Sequence, residues 1–341
     1  MAELSQREKA ILEILVGTYV TTGEPIGSRT ISKLGLGLSA ATIRNSMADL
    51  EEKGFLSHPH TSAGRVPSDK GYRYYVDLLM SQEELAEAAR RSIRTSIETL
   101  REGNIQNLLS QVCKVIAEVS HNLGLVLAPQ FEQGTFDRLE IVKLSESKLL
   151  LVLTIRSGLV KTMVIEIDSD LAASDLEDTK RVANQRLSGL TVGEVVDTVE
   201  ERLQSASEGS PKLLRLIANS ADTLFRAADG NLLVDGTRNF FMQPDLFADQ
   251  QGLAELIGMV EQRESMMHLL GDRLNREGIA ITIGDENEPP ELQRCSVLTS
   301  RYRMGNISGV IGVIGPTRLP YARLVPLIQY MADLTEEMLE K

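Results

Sequence analysis

A short run of small and hydrogen-bonding side chains is the first part of this sequence that could do chemistry. Ser39 precedes a predicted helix whose outward face carries alanine, threonine, arginine and asparagine instead of the usual glutamate and lysine. Arginine can form two hydrogen bonds to guanine, and asparagine two to adenine, in the major groove of DNA. Small neighbours let such a helix approach the base edges closely. We therefore predict base contacts by five residues: Ser39, Ala41, Thr42, Arg44 and Asn45.

A second polar stretch follows this helix. Residues 55–67 contain two short extended pieces on either side of a small, polar tip with one glycine. This pattern is typical of a β-hairpin. Polar side chains on such a hairpin, or wing, can contact the phosphate backbone, which positions a protein on DNA without reading its sequence. The predicted phosphate contacts are His58, His60, Ser62, Arg65 and Lys70.

Four predicted helices would hold these side chains in place. The first begins with a capping box, because Ser5 and Glu8 have the spacing at which each side chain bonds the backbone amide of the other. Its apolar residues recur on one helical face, and Gly54 fits the end of the third helix. Helices and a hairpin in this order are typical of a winged helix-turn-helix domain. The alternative is a small structural three-helix domain with an ordinary surface.

The charge distribution singles out the same region. The chain has 36 basic and 48 acidic residues and a net charge of −12. An acidic surface repels DNA, so any DNA-binding site must be local. Residues 1–75 carry nine basic and eight acidic residues, and within residues 53–75 the ratio is four to one. This asymmetry indicates a DNA-binding N-terminal region, although chance also produces a surplus of three charges.

The composition fits a soluble, cytoplasmic protein. A length of 341 residues corresponds to two or three domains. The 42% of apolar residues and 25% of charged residues exclude wholesale disorder. The two cysteines, Cys113 and Cys295, are too few for a disulfide framework. No apolar run approaches the roughly 20 residues of a membrane span, and the N-terminus lacks the apolar core of a signal peptide. We therefore expect no membrane association.

Beyond residue 80 the patterns predict blocks of helices and strands. Two helices over 82–122 are broken at Gly103 and Asn104, and a last helix covers 319–340, where Pro326 should cause a kink or mark a later start. The predicted strands are 123–128, 139–144, 149–155, 159–167, 279–283, 296–302 and 307–314, and the helices between them cover 174–187, 191–205 and 211–227. We interpret this order as a mixed α/β sheet interrupted by a helical insertion.

Three motifs look like ligand sites but have the wrong context. Residues 35–40 match a loose dinucleotide-binding pattern, but a predicted helix precedes them where a strand is needed. His58 and His60 lack a third metal ligand nearby. The glycines at 309, 312 and 315 fit a strand that another backbone approaches closely. The sequence also shows no nucleophile with a base and an acid, so we predict no enzyme activity, cofactor or metal.

Residues 39–75 read SAATIRNSMADLEEKGFLSHPHTSAGRVPSDKGYRYY. This stretch closely resembles the HrcA family of heat-inducible transcription repressors through ATIRN, DLEEKGFL, PHTSAGRVP and DKGYR. The resemblance returns at residues 295–297 and 309–318 and is weak over about 170–250. His58 stands where the family often has lysine, and Leu319-Pro320 stand where it usually has Met-Asp.

The resemblance implies an α+β multidomain protein. It has an N-terminal winged helix-turn-helix, a GAF-like α/β domain and a helical dimerisation domain inserted into the GAF-like domain. We expect the DNA-binding domain at 1–80, a helical connector at 81–122, the GAF-like domain at 123–169 plus 249–341, and the inserted dimerisation domain at 170–248.

The resemblance also implies a function. A homodimer would bind double-stranded DNA at CIRCE, the inverted-repeat operator upstream of chaperonin operons, and block transcription. The chaperonin GroEL would keep the repressor active until heat fills GroEL with unfolded proteins. The alternative is a small-molecule or nucleotide sensor, or an enzyme, in which the GAF-like domain does the main work. A catalytic domain should show paired ionisable residues and a phosphate or metal loop.

Overall fold

The computed structural model describes residues 3–59, 64–98, 105–167, 171–206, 208–220, 232–243 and 250–340. The chain is a mixture of helices and sheets that divides into two compact units. The first unit comprises Met1–Val126, Val234–Arg301 and Val310–Thr335. The second unit comprises Leu127–Leu233, Tyr302–Gly309 and Glu336–Lys341.

The first unit begins with four helices and a small hairpin. Their bounds are α1 Gln6–Thr22, α2 Ser28–Ser32, α3 Ala40–Glu52, β1 Leu56–Ser57, β2 Val66–Pro67 and α4 Asp69–Tyr74. Ser5 and Glu8 form the capping box that the sequence predicts, and Gly23, with a positive φ of 68°, ends α1. The apolar faces of α1, α2 and α3 pack together in a core that includes Ile11, Leu12, Leu15, Ile31, Ile43 and Leu50.

The remaining longer elements come in blocks of helices and blocks of strands. In chain order they are α5 Glu87–Glu98, α6 Ile105–Ser120, β3 Leu123–Leu127, β4 Phe136–Ser145, β5 Lys148–Ile155, β6 Val160–Glu166, α7 Ala173–Leu187, α8 Val192–Gln204, α9 Pro211–Asn219, β7 Leu232–Asp235, α10 Thr237–Phe241, α11 Gln250–Glu261, α12 Arg263–Gly271, β8 Ile279–Ile283, β9 Cys295–Met304, β10 Ile307–Pro316 and α13 Tyr321–Glu340. Among the described residues, no helix combines the length and apolar character that crossing a membrane requires.

The longer strands form two separate sheets. The five-stranded sheet, most of whose residues belong to the first unit, has the order β7-β3-β10-β9-β8. Strands β4, β5 and β6 form an antiparallel sheet of their own in the second unit. The predicted single sheet is therefore wrong. Short turns join β4 to β5 and β5 to β6, and sequential strands joined in this way pair with one another.

A partly buried asparagine-to-backbone contact holds helix α7 against that three-stranded sheet. Asn184 Oδ1 accepts a hydrogen bond from the Leu139 amide at 2.7 Å, and Asn184 Nδ2 donates to the Leu139 carbonyl at 3.0 Å. The side chain therefore satisfies both backbone groups of one residue in β4. This exchange fixes the position of the helix along the strand.

Three further predictions can be compared with the structure: the effect of Pro326, the helix at 211–227 and the glycine at 312. Helix α13 begins at Tyr321 and continues through Pro326, so Pro326 does not mark its start. The predicted helix at 211–227 is observed only as α9, and residues 221–231 lie outside the described residues. In β10, a Cβ atom on Gly312 would collide with the Leu298 carbonyl oxygen of the neighbouring strand. Close strand packing therefore accounts for glycine at this position.

An ion pair fastens the start of α1 to the end of α3. The carboxylate of the buried Glu8 lies 2.5 Å from Lys53 Nζ and also accepts hydrogen bonds from the Ser5 amide and hydroxyl at 2.8 Å each. Burial raises the pKa of Glu8, but the hydrogen bonds from Lys53 and Ser5 outweigh it and lower the pKa to about 2. The ionised form of Glu8 therefore stabilises the folded state.

We expect Glu8→Gln to lower the free energy of unfolding by roughly 2–3 kcal/mol at pH 7. Since the folded pKa is lower than the unfolded one, the advantage of wild type is fully present above pH 4.5. It should disappear as the pH falls from 4.5 towards 2. Urea unfolding of both proteins across this range measures the difference. Glu13→Gln, at an exposed carboxylate on the same helix, is the control. A difference that stays constant down to pH 2.5 would contradict this assignment.

Candidate nucleic-acid interface

Helix α3 has one buried and one exposed face. Ile43, Met47 and Leu50 point into the core. The exposed face, which we call the outward face of α3, is formed by residues at the i, i+3, i+4, i+7 spacing of a helix: Ala41, Arg44, Asn45 and Ala48. The predicted base-contacting residues Ala41, Arg44 and Asn45 therefore share one surface.

The N-terminus of α3 lies at the edge of this surface. Ser39 is the N-cap residue, and its Oγ accepts a hydrogen bond from the Thr42 amide at 3.1 Å. The Ser39 and Thr42 hydroxyls lie 2.9 Å apart. Ser39 and Thr42, both predicted to contact DNA, thus take part in capping the helix, and both side chains remain at least partly exposed.

Arg44 and Asn45 are available to a ligand. Within the part of the chain that the structure describes, neither side chain has a hydrogen-bond or ion-pair partner. Alanines on either side, Ala41 and Ala48, leave their approach open. The outward face of α3 therefore presents one guanidinium and one carboxamide on a surface with low steric hindrance.

The hairpin is joined to the segment between α1 and α2. Leu56 pairs with Pro67 and Ser57 with Val66 in an antiparallel ladder. Ile26 adds a third, single-residue strand, since its amide donates to the Arg65 carbonyl at 2.9 Å and its carbonyl accepts from the Arg65 amide at 2.8 Å. The base of the hairpin is therefore fixed relative to the helices.

Glu51, at the end of α3, holds two of the predicted phosphate contacts. Its carboxylate lies 2.6 Å from Arg65 Nη2 and 2.9 Å from His58 Nδ1. Arg65 Nη1 also contacts His58 Nε2, and since arginine can only donate, this His58 nitrogen accepts. The three side chains form what we call the Glu51 cluster. Nothing in the run DLEEKGFL distinguishes Glu51 from an ordinary exposed acid, so the sequence analysis missed it.

The remaining predicted phosphate contacts, Lys70, His60 and Ser62, are not part of the Glu51 cluster. Lys70 Nζ donates to the Lys53 carbonyl at 2.7 Å and lies 4.5 Å from the centre of the Phe55 ring. Its ammonium group therefore already has partners within the protein. His60 and Ser62 lie outside the described residues.

Helix α4 is tied to the turn that follows β8, within the same unit. Arg73 Nε donates to Glu286 Oε1 at 2.8 Å, and Arg73 Nη2 donates to the Ile281 carbonyl at 2.8 Å. Asp69 accepts a hydrogen bond from the Asp285 amide at 3.0 Å. A side chain on Gly284, whose φ is +54°, would collide with the Asp69 carboxylate. These contacts, which the sequence analysis did not predict, link the N-terminal helices to the five-stranded sheet.

The described residues offer little for catalysis. They contain no group of three or more potential metal ligands. Both cysteines are buried, and burial raises the pKa of Cys113 and of Cys295 to about 12, so neither thiol ionises readily.

Comparisons with known proteins show what the whole chain is similar to. A family model described as HrcA protein C terminal domain matches residues 106–325. The heat-inducible transcription repressor HrcA of Geobacter sulfurreducens is 37% identical over 342 residues, which cover 100% of this chain and 99% of that protein. The protein of the same name from Prosthecochloris aestuarii is 38% identical, with 97% and 96% covered. A crystal structure of a hypothetical protein, 24% identical, has a TM-score of 0.62 with 99% of both chains covered.

Proposed function

The chain belongs to the HrcA family of heat-inducible transcription repressors, and we propose that residues 1–80 are its winged helix-turn-helix DNA-binding domain. The family consists of repressors and not of enzymes. The observation that carries the proposal is the outward face of α3, where Arg44 and Asn45 stand unpaired among alanines within the described residues. A helix of this kind, preceded by two helices and followed by a hairpin, suits the major groove.

We assign α3 the role of recognition helix. Arg44 and Asn45 would read base edges through paired hydrogen bonds. Ser39, Ala41 and Thr42 would lie close to the DNA backbone or base edges at the start of the helix. The free amides and positive dipole end at the N-terminus of α3 favour a nearby phosphate.

The Glu51 cluster gives the wing a different role from the one that sequence suggests. Arg65 is compensated by Glu51, so a phosphate must compete with this carboxylate for the guanidinium. We propose that His58 and Arg65 hold the wing against α3 and that Arg65 contributes a weakened phosphate contact. Lys70 would also have a structural role, because its ammonium group bonds the Lys53 carbonyl in the turn after α3 and lies over the Phe55 ring.

We further propose that the protein acts in the cytoplasm as a homodimer on an inverted-repeat operator, CIRCE. Two identical DNA-binding domains related by a two-fold axis require two half-sites in inverted orientation. The dimer contact would lie in the second unit, near the inserted domain at 170–248. Four large apolar side chains on the three-stranded sheet of the second unit are 46–55% exposed: Val142, Leu144, Val160 and Val164. Exposed apolar patches of this kind mark interaction sites.

The remaining architecture is proposed along the lines of the family. Residues 81–122 would be a connector, and residues 123–169 plus 249–341 would form the GAF-like domain, with β7 at Leu232–Asp235 completing its five-stranded sheet from within the range of the inserted domain. The sheet of β4, β5 and β6 packs on α7, which favours counting these strands with the inserted helices. We also propose GroEL as a partner, because a sheet assembled from distant segments closes late and leaves aggregation-prone intermediates.

The competing function, a ligand sensor or enzyme with an accessory DNA-binding domain, has less support. A sensor or enzyme needs a pocket in which several ionisable groups converge. The exposed side chains on α3, Arg44 and Asn45, are instead suited to hydrogen bonds with DNA base edges. A gel shift with the inverted-repeat operator against scrambled DNA, without added ligand, separates the two functions. Preference for the operator supports the repressor, and equal binding to both DNAs argues against it.

Arg44→Ala or Asn45→Ala should weaken operator binding by roughly 1–3 kcal/mol and relax specificity at one base position. The reason is loss of a bidentate contact to one base edge. Binding to operators substituted at each position measures both effects. Arg7→Ala, at an exposed arginine on α1, removes the same charge as a control. Equal losses on operator and random DNA would show a phosphate contact instead.

Glu51→Gln should strengthen binding to operator and random DNA alike and steepen the slope of log affinity against log salt by up to about 0.9. Glutamine still accepts a hydrogen bond from Arg65 but no longer neutralises its charge. Glu52→Gln removes a charge one residue away and corrects for the general change in charge. Weaker binding by Glu51→Gln would mean that the carboxylate is needed to hold the wing in place.

Val142→Glu with Val164→Glu should convert the dimer to a monomer. These residues flank Leu150 in one row across the sheet, so the charges would lie in the middle of the apolar patch. Sedimentation measures the assembly, and operator affinity should fall by about 10²–10⁴ as the avidity of two tethered domains is lost. Leu78→Glu, at an exposed leucine of the first unit, is the control. A variant that remains dimeric would move the interface elsewhere.

A further inference from the structure

The chain loses its regular structure where the proposed DNA-binding domain ends. After Tyr74, helix α4 continues as one π-helical turn, Tyr75–Leu79, in which the Met80 amide donates to the Tyr75 carbonyl at 2.8 Å. Residues 80–86 then form neither helix nor strand. Turns of π-helix are rare and often occur at functional sites. The covalent connection therefore does not by itself fix the orientation of the DNA-binding domain.

Side chains of α4 provide a first attachment to the rest of the unit. Arg73 and Glu286 form a bidentate pair, in which Nε donates to Oε1 at 2.8 Å and Nη2 donates to Oε2 at 2.5 Å. Arg73 Nη2 also donates to the Ile281 carbonyl at 2.8 Å. The Asp69 carboxylate accepts from the Asp285 amide at 3.0 Å. We call this set of contacts the α4 latch. A bidentate pair constrains direction as well as distance, so the latch restricts rotation of α4.

Both partners of the bidentate pair are ionised at neutral pH. The hydrogen bond to Glu286 raises the pKa of Arg73 and outweighs burial, which lowers it. Burial raises the pKa of Glu286, but the hydrogen bonds from Arg73 and from the Ile283 amide outweigh it and lower that pKa below its usual value. Isolated ion pairs on a surface contribute little to stability. The Arg73 side chain is only 25% exposed and has several partners, so the latch is not such an isolated pair.

Helix α1 and the ring of Tyr72 provide two further attachments. Arg318 Nη1 donates to the carbonyl of Val20, one of the last four of α1, at 3.3 Å. A cation at this end of a helix compensates the free carbonyls and the negative end of the helix dipole. A Cβ atom on Gly23 would lie 3.4 Å from Arg318 Cζ, so the guanidinium lies against the end of α1. The rings of Tyr72 and Tyr321, both buried, have centres 6.0 Å apart. The domain is therefore held at separate points on two of its helices.

We propose that Arg73 and Arg318 are positioning residues that hold each DNA-binding domain in one orientation and thereby determine which half-site separation the dimer accepts. This inference rests on the proposed homodimer on an inverted repeat. Neither residue lies on the outward face of α3. Two rigidly held domains reach two half-sites at one separation and one rotational phase, because DNA turns once in roughly 10–10.5 base pairs. Loosely held domains would reach several separations, each at a lower effective concentration.

The test compares the full chain with its Glu286→Gln and Arg318→Gln variants on operators that differ in spacer length. Adding or removing two base pairs rotates one half-site by roughly 70° and moves it by about 7 Å. Wild type should bind the unchanged operator best and fall towards the affinity for one half-site when the spacer changes. Both variants should bind the unchanged operator several-fold more weakly than wild type. They should also lose several-fold less affinity than wild type when the spacer changes.

The two variants change the net charge in opposite directions, so a general effect of charge on DNA binding cannot give both the same result. A duplex with a single half-site is the control for an intact domain, and all three proteins should bind it equally, since one domain involves no avidity. Glu288→Gln removes an exposed carboxylate two residues from Glu286 and should keep the wild-type response to spacer length.

A wild-type response to spacer length in Glu286→Gln or in Arg318→Gln would overturn the assignment of that contact. Weaker binding to the single half-site would also overturn it, because the contact would then support the domain itself and not its orientation. Failure of the proposed function gives a different result. In that case wild type would bind the inverted repeat no better than one half-site, which rejects the dimeric operator complex and this inference with it.

Discussion

The carboxylate of Glu51 lies 2.6 Å from the Arg65 guanidinium, and the geometry of the proposed DNA-binding surface depends on this contact. Glu51 is in the last turn of α3, and Arg65 is at the base of the hairpin, where its backbone also pairs with Ile26. The pair therefore fixes the hairpin relative to the exposed helix. It also lowers the positive charge that a phosphate would meet. In a chain with a net charge of −12, discrimination must then come mainly from the uncompensated groups on α3.

A second set of contacts connects this surface to the five-stranded sheet. Arg73 and Asp69 of α4 bond the turn at residues 284–286, and the next residue, Asn287, lines a cavity beside Arg273. One short turn therefore touches the proposed DNA-binding domain on one side and a cavity on the other. The turn is held by hydrogen bonds on both sides, so it fixes the position of α4 relative to β8. These contacts lie within one compact unit.

Local rules made the helices and the outward face of α3 predictable from sequence. Ser5 with Glu8 and Ser39 with Thr42 act over three residues, and helical periodicity separates Ile43 from Arg44. Contacts between distant residues were not predictable in this way. Glu51 lies in the last turn of a helix and Arg65 in the hairpin that follows it, and Arg73 and Glu286 are more than two hundred residues apart, so no spacing rule joins either pair. The division into two sheets was missed for a related reason. Alternating apolar and polar residues indicate that a segment is a strand, but they do not indicate which other strand it pairs with.

Glu8 and Arg273 show how differently one fold treats two buried charges. Burial opposes ionisation of both, but for Glu8 the hydrogen bonds from Lys53 and Ser5 reverse the effect and lower its pKa to about 2. For Arg273 the hydroxyl of Thr282 does not reverse it, and the pKa of the guanidinium stays below its usual value. Arg273 receives one hydroxyl bond and the electrostatic effect of two nearby carboxylates, Asp272 and Glu288, and forms no ion pair among the described residues. The direction of each shift is therefore set by the partners that the fold supplies to the buried charge, and not by burial itself.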